Sequence, residues 1–209
     1  MIPFLVALLL ALVFLGAEDV LGPFAPLVKM APVAVLAGLV FRSGPTTAGR
    51  LAASGLLIAA VADLVIEFSF VGGLIAFLLA HLFYIAAFTR VEPRLCLWRL
   101  VPVAVWAALA LPILVGHAGS LDIPVLTYGV VILVMIWRAA AAVSVMGWNQ
   151  GMIGFMGAIL FGISDTLLGY SRFVTPLPVS NLLIMGTYWA AQTLIAVSFL
   201  SSARSLSRT

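Results

Sequence analysis

Apolar residues run through this chain in long blocks, and polar residues fall almost entirely at the block ends. Breaks at Gly, Pro or charged positions give about eight spans, near 3–20, 24–42, 48–67, 70–89, 98–116, 123–143, 151–170 and 179–201. Each approaches the roughly 20 residues a helix needs to cross the hydrocarbon core of a bilayer. The connections are short, and no hydrophilic stretch is long enough for a separate soluble domain. The pattern predicts an all-α fold, a polytopic membrane helical bundle forming one domain over 1–209. Only Phe68 to Gly73 separates the third span from the fourth. The longest connection, Thr89 to Arg99, divides the chain into candidate halves 1–90 and 97–203.

Composition agrees. Charged residues make up 8% of the 209 positions and the mean hydropathy is +1.28, against about 25% charged in soluble domains. The single cysteine, Cys96, excludes an intrachain disulfide and a Cys-rich metal site. The net charge of +3 comes from scattered arginines flanking apolar runs, which read as topology signals and not as a nucleic-acid surface. The first span has no basic residues ahead of it, and Glu18-Asp19 stand where a signal peptide would have a small-residue cleavage site, so it reads as a retained helix.

Arginine placement orients the bundle. Arg42, Arg50, Arg90, Arg94, Arg99, Arg138, Arg204 and Arg208 are assigned to the connections after spans two, four and six and to the C-terminus. The opposite connections hold Arg172, with Glu18, Asp19, Glu67 and Asp122. The positive-inside rule then puts both termini in the cytoplasm, with a bacterial inner membrane as the expected setting.

Two carboxylates break the apolar pattern from inside. Asp63 lies in Gly55-Leu-Leu-Ile-Ala-Ala-Val-Ala-Asp63, and Asp165 in Gly157-Ala-Ile-Leu-Phe-Gly-Ile-Ser-Asp165. In both, a Gly precedes the Asp by eight positions and a small residue stands just before it. A carboxylate at a membrane helix centre costs about 3 kcal/mol on insertion scales, so such residues face protein or water and usually have a function. Lying four spans apart, the two helices cross in the same direction, which suggests two parallel four-helix repeats. Chance similarity between Gly/Ala/Leu-rich helices remains the alternative, because small residues recur in membrane helices.

With both aspartates in the outer halves of their spans, other polar residues fall at similar or greater depth. Lys29 lies about a turn into span two. His81 and Tyr84 share one face of span four, and Tyr188 and Gln192 one face of span eight. Together they outline one polar pocket opening outward. Taken singly, each has a structural reading: Lys29 as an ion pair with an aspartate, His81, Tyr188 and Gln192 as interhelical hydrogen-bonding groups worth about 0.6 kcal/mol each. Glu18, Asp19 and Glu67 read as interface charges and His117 as a loop residue. The two aspartates jointly favour function, since one lysine cannot neutralise both.

Two histidines, one cysteine and no HExxH give poor support to a zinc hydrolase, and neither a GxSxG elbow nor a phosphate-binding loop is present. Paired carboxylates suit acid/base hydrolysis, one carboxylic acid donating a proton and one carboxylate taking a proton from water.

On Pro26-Leu-Val-Lys29, Ala62-Asp63, Phe77-Leu-Leu-Ala-His81-Leu-Phe-Tyr84, Gly157 through Asp165-Thr-Leu-Leu168, and Tyr188-Trp-Ala-Ala-Gln192-Thr-Leu-Ile195, the chain resembles the YhhN-like lysoplasmalogenase family of integral membrane hydrolases. Met30 and Ala62 stand where that family usually has a proline and a glycine. The resemblance implies cleavage of the vinyl ether bond of lysoplasmalogens to a fatty aldehyde and a glycerophospho-alcohol. It implies a lysophospholipid substrate among membrane lipids and no nucleic acid. The acid/base chemistry needs no metal or organic cofactor. Asp63 and Asp165 are then the catalytic candidates, with Lys29, His81, Tyr84, Tyr188 and Gln192 binding or supporting. Lys29 is open to two roles, contacting the phosphate or holding an aspartate ionised. Two other classes remain open, a proton-coupled transporter using the same aspartates and a lipid-binding protein without turnover.

Overall fold

The computed structural model describes residues 2–43, 46–114 and 116–205, with side chains described throughout except at 18, 19, 102, 110, 113, 114 and 201–205. Eight helices follow in order: α1 Ile2–Leu21, α2 Ala25–Arg42, α3 Thr47–Phe68, α4 Phe70–Val91, α5 Val101–Leu114, α6 Asp122–Met146, α7 Trp148–Phe173 and α8 Ser180–Ser205. Among the described residues there is no strand. Every predicted span is a helix, and among the described residues six segments are long and apolar enough to cross a membrane. The other two helices are α1, which leaves helical geometry at Ala17 (φ −137°, ψ 16°), and α5, 14 residues long with Pro112 inside it. The roles expected for Glu18, Asp19, Arg204 and Arg208 lie outside the described side chains.

Small residues bring the helices close. α3 buries Ala52, Ala53, Ala59, Ala60 and Ala62 completely against its neighbours. A side chain on Gly55 would meet the Tyr84 ring of α4 at 2.6 Å, and one on Gly157 would meet Ala191 and Ile195 of α8 at 3.0 Å. Without a hydrophobic drive between helices in lipid, such close backbone packing is what holds them together. α3 packs on α4 and α7 on α8; across the candidate halves, α4 packs on α6 and α2 on α8.

The α3–α4 turn is one residue, Ser69, whose side chain accepts from the Gly72 N–H at 3.1 Å and caps α4. The connection from α6 to α7 is likewise one residue, Gly147, at φ +82° and ψ 156°, a conformation open essentially to glycine. Residues 144–146 and 148–150, expected in a loop, are therefore helical.

Arg138 is a correction. It is not a loop charge: it sits inside α6, buried, and donates to Thr89 Oγ1 at 3.0 Å, to the Arg94 carbonyl at 2.9 Å and to the Glu92 carbonyl. The chain leaving α4 has carbonyls with no helical partner, and the fixed fork of the guanidinium satisfies them. Arg94 in turn clasps the Glu92 carboxylate with Nη2 at 2.8 Å, Nε at 3.0 Å and its backbone N–H at 2.9 Å. These bonds hold the Glu92 carboxyl well below its usual range, at about 2. One end of the bundle is thus locked. The site lies toward the other.

Candidate active site

Helices α3, α4, α6 and α7 bring polar groups together near the end that carries the α3–α4 turn. Asp165 of α7 lines a small cavity of about 60 Å³ whose walls are otherwise mostly apolar, including Leu74, Phe77, Trp106 and Ile132. Tyr128 of α6, also on the wall, donates its hydroxyl proton to Asp165 Oδ2 at 2.7 Å. Nε2 of His81, fully buried on α4, stands 3.8 Å from the same oxygen.

The histidine geometry fixes its tautomer. Nδ1 lies 2.6 Å from the Phe77 carbonyl oxygen. A carbonyl only accepts, so Nδ1 carries the hydrogen, and in the neutral imidazole Nε2 keeps its lone pair. Nε2 has no hydrogen-bond partner among the described residues although it is buried. A proton acceptor therefore faces a carboxyl group across a short gap at the edge of an apolar cavity.

Asp63 is held separately. It is 2% exposed, and its Oδ2 accepts from the Tyr188 hydroxyl of α8 at 2.8 Å. Tyr84 donates to Gln192 Oε1 at 2.7 Å, joining α4 to α8. The Phe161 ring touches both groups, 4.5 Å from the His81 ring and 5.5 Å from the Tyr188 ring between centroids. Asp165 with His81 and Tyr128, and Asp63 with Tyr188, are thus two polar groups meeting at one aromatic wall. The lining of the Asp165 cavity does not include Asp63, Lys29, His81, Tyr188 or Gln192, which differs from the single shared pocket expected from depth alone.

Among the described residues Lys29 does not pair with an aspartate. Its ammonium bonds Glu67 Oε1 at 2.5 Å, and both residues line a second, more open cavity of about 410 Å³ together with Arg172. Glu67, read from sequence as an interface charge, stands against Lys29 where one of its two sequence readings put an aspartate. Tyr128 was missed altogether. Its only signal is a phenol within the apolar run of α6, and tyrosine is too common in membrane proteins for that to stand out.

The model of the YhhN family matches residues 24–199. The chain is 37% identical to lysoplasmalogenase TMEM86B of Homo sapiens over 190 residues, 88% of this chain and 79% of the relative. It is 35% identical to lysoplasmalogenase TMEM86B of Sus scrofa, covering 82% and 74%, and 33% identical to lysoplasmalogenase TMEM86A of Homo sapiens, covering 71% and 64%. No solved structure matches.

Proposed function

We infer the function from one premise: the chain belongs to the YhhN family. It is an integral membrane hydrolase that cleaves the vinyl ether bond of lysoplasmalogens, giving a fatty aldehyde and a glycerophospho-alcohol. Beyond the relatives' names, the observation that carries this reading is a carboxyl group, Asp165, on the wall of an otherwise apolar cavity. An amphiphile's chain fits such walls, and the reacting bond comes to the one acid there.

The proposed steps balance as addition of one water. The Asp165 carboxylic acid gives its proton to the alkene carbon remote from the ether oxygen, and the double-bond electrons form the new C–H bond. Positive charge develops on the other carbon and the ether oxygen, as in the oxocarbenium-like transition states of glycosidases. The Asp165 carboxylate left behind is stabilised by the Tyr128 hydroxyl. Water then adds to the cation, losing a proton to His81 Nε2 or to the carboxylate. The resulting hemiacetal collapses: its C–O bond to glycerol breaks, the glycerol oxygen takes a proton, and the aldehyde forms. Asp63, away from the cavity wall, contributes as a second carboxylate whose charge favours the cation through space.

The proposal extends to orientation and internal symmetry. Arg42, Arg50, Arg90, Arg94 and Arg99 cluster at the locked end, which supports cytoplasmic termini, with a bacterial inner membrane as the proposed setting. The pairing of α4 with α6 and of α2 with α8 is what a two-fold relation between halves 1–90 and 97–203 requires. Asp63 facing Tyr188 of α8 and Asp165 facing His81 of α4 repeats that exchange at the site.

The test is mass spectrometry of detergent-solubilised protein incubated with a mixed pool of ether and ester lysolipids. Fatty aldehyde from the alkenyl species alone is the expected product. No aldehyde, combined with proton flux in sealed proteoliposomes, would replace the hydrolase by a transporter.

A further inference from the structure

We propose that Trp106 of α5 determines which hydrocarbon chains the site accepts, a role that rests on the hydrolase reading above. Its indole closes the deep end of the Asp165 cavity, and the substrate chain leaves the bundle there, sideways into the bilayer.

The cavity is too small for a chain. It holds about 60 Å³, and one water in such a space takes about 10–15 Å³. The reacting end of a lysolipid fits. Its chain does not, because it reaches about 15 Å, half of the roughly 30 Å hydrocarbon core. The deep end is also close to the acid. Gly162 lies three residues before Asp165 on the same face of α7, about 4.5 Å nearer the locked end. A Cβ on Gly162 would lie 3.2 Å from Ile136, 3.4 Å from Ile132 and 3.6 Å from Trp106 Cζ2. With the head group toward the α3–α4 turn, the chain meets this floor within one helical turn of Asp165.

The three floor residues differ in what lies behind them. Ile132 and Ile136 of α6 are 6% and 2% exposed, with the packed bundle beyond. Trp106 is half-buried: it lines the cavity and also reaches the outer surface. Val105 and Leu109 beside it are 55% and 67% exposed, so this stretch of α5 faces lipid. α5 is held by α6 and α7, and turning the indole to another staggered rotamer opens the way without moving a helix. The missing side chain at Gly162 leaves a narrow slot. A straight chain passes over it, whereas a methyl branch next to the alkene collides with Ile132 and Ile136.

The experiment gives the full chain in detergent two alkenyl lysolipids, one straight and one with a methyl branch on the carbon next to the alkene. Wild type should prefer the straight chain in kcat/KM by about tenfold or more, the worth of one carbon against a fitted apolar wall, and Trp106→Ala should cut that preference to within about threefold. No preference in wild type, or one that survives Trp106→Ala, overturns the proposal. A second measurement needs neither turnover nor a stable alanine variant. Non-cleavable 1-alkyl lysolipids, brominated either beside the ether or at the chain end, quench tryptophan emission on contact in lipid nanodiscs. The part due to Trp106 is the difference between wild type and Trp106→Phe. Gly162 sits near the middle of α7, so Trp106 stands at mid-membrane depth. A lysolipid merely dissolved around the bundle brings its chain end to that depth, while the slot brings the carbons beside the ether. Stronger quenching of Trp106 by the bromines beside the ether is expected; equal or stronger quenching by the terminal bromines overturns the proposal. If wild type cleaves neither substrate, the hydrolase reading fails while the quenching still decides the path of the chain.

Discussion

Tyr128→Phe removes one oxygen and keeps the ring. The lost hydroxyl donates to Asp165 Oδ2 at 2.7 Å, while the edge-on contact of the ring with His81, 5.3 Å between centroids, is kept. In the proposed mechanism Asp165 begins as a neutral acid and becomes a carboxylate as its proton reaches the alkene. A hydrogen bond to a neutral acceptor contributes about 1 kcal/mol and one to a charged acceptor about 1.5–3 kcal/mol. The difference, about 0.5–2 kcal/mol, appears only as the charge develops, so it belongs to kcat. It corresponds to a fall of about 2- to 30-fold. KM should stay within about twofold, since the hydroxyl is engaged by Asp165 and the apolar wall is intact. Steady-state release of fatty aldehyde from an alkenyl lysolipid in one detergent gives both constants, and a melting curve checks the fold. An unchanged kcat would refute the charge development on Asp165. A raised KM with unchanged kcat would move the hydroxyl from the acid to the substrate.

Asp165→Asn should lower kcat by about 10²–10⁴-fold, the usual worth of general acid/base assistance. Asp63→Asn should lower it as well, and the double variant should lose less than the product of the two, because groups acting in one transition state are non-additive; a multiplicative loss would separate their roles. Glu92 sets a pH limit on the locked end. Its carboxyl is held at about 2 against an ordinary 4.5, so its stabilising contribution is complete above about 4.5 and is lost as pH falls toward 2. Melting temperatures of wild type and Arg94→Gln should therefore differ by a constant amount from pH 8 to 5.5 and converge only in acid; convergence already at pH 6 would contradict the clasp. Reporter fusions at Thr209 and in the 117–122 connection should report opposite sides of the membrane, and same-side signals would overturn the arginine-based orientation.

The helices were legible because a bilayer demands runs of about 20 apolar residues whatever the tertiary structure. Their turns were less so. Trp148-Asn149-Gln150 reads as a polar loop, and only the backbone at Gly147 reveals that α7 begins at once. Asp63 and Asp165 stood out because a charge in an apolar run is costly. Their partners did not, because side-chain pairing is set by helix rotation and not by depth. Lys29 at the right depth for Asp63 turned out to pair with Glu67. Arg138 shows the same limit in reverse. As a charge it counted toward topology, yet its position follows from three oxygens presented by residues 89–94, a contact between segments more than 40 residues apart.

The hydrolase and transporter readings use the same aspartates, and the helices distinguish them. Transport sites of this kind are typically built from interrupted helices, whose freed backbone groups bind the cargo while one half rocks against the other. Here α3 runs Thr47–Phe68 through Asp63 and α7 runs Trp148–Phe173 through Asp165, each a single helix. The polar groups at the site are side chains: a carboxyl, a phenol and an imidazole whose tautomer is set by the Phe77 carbonyl. Rocking would also have to work against the Tyr84–Gln192 and Tyr188–Asp63 hydrogen bonds, which cross between the candidate halves in the interior of the bundle. Breaking buried polar bonds of this kind leaves unsatisfied groups in a low-dielectric setting. A rigid scaffold with an open mouth at one end and an acid on an apolar wall suits a reaction that needs its proton donor held still against a lipid chain. Access then requires only that the lysolipid enter from the end where Lys29 and Arg172 stand.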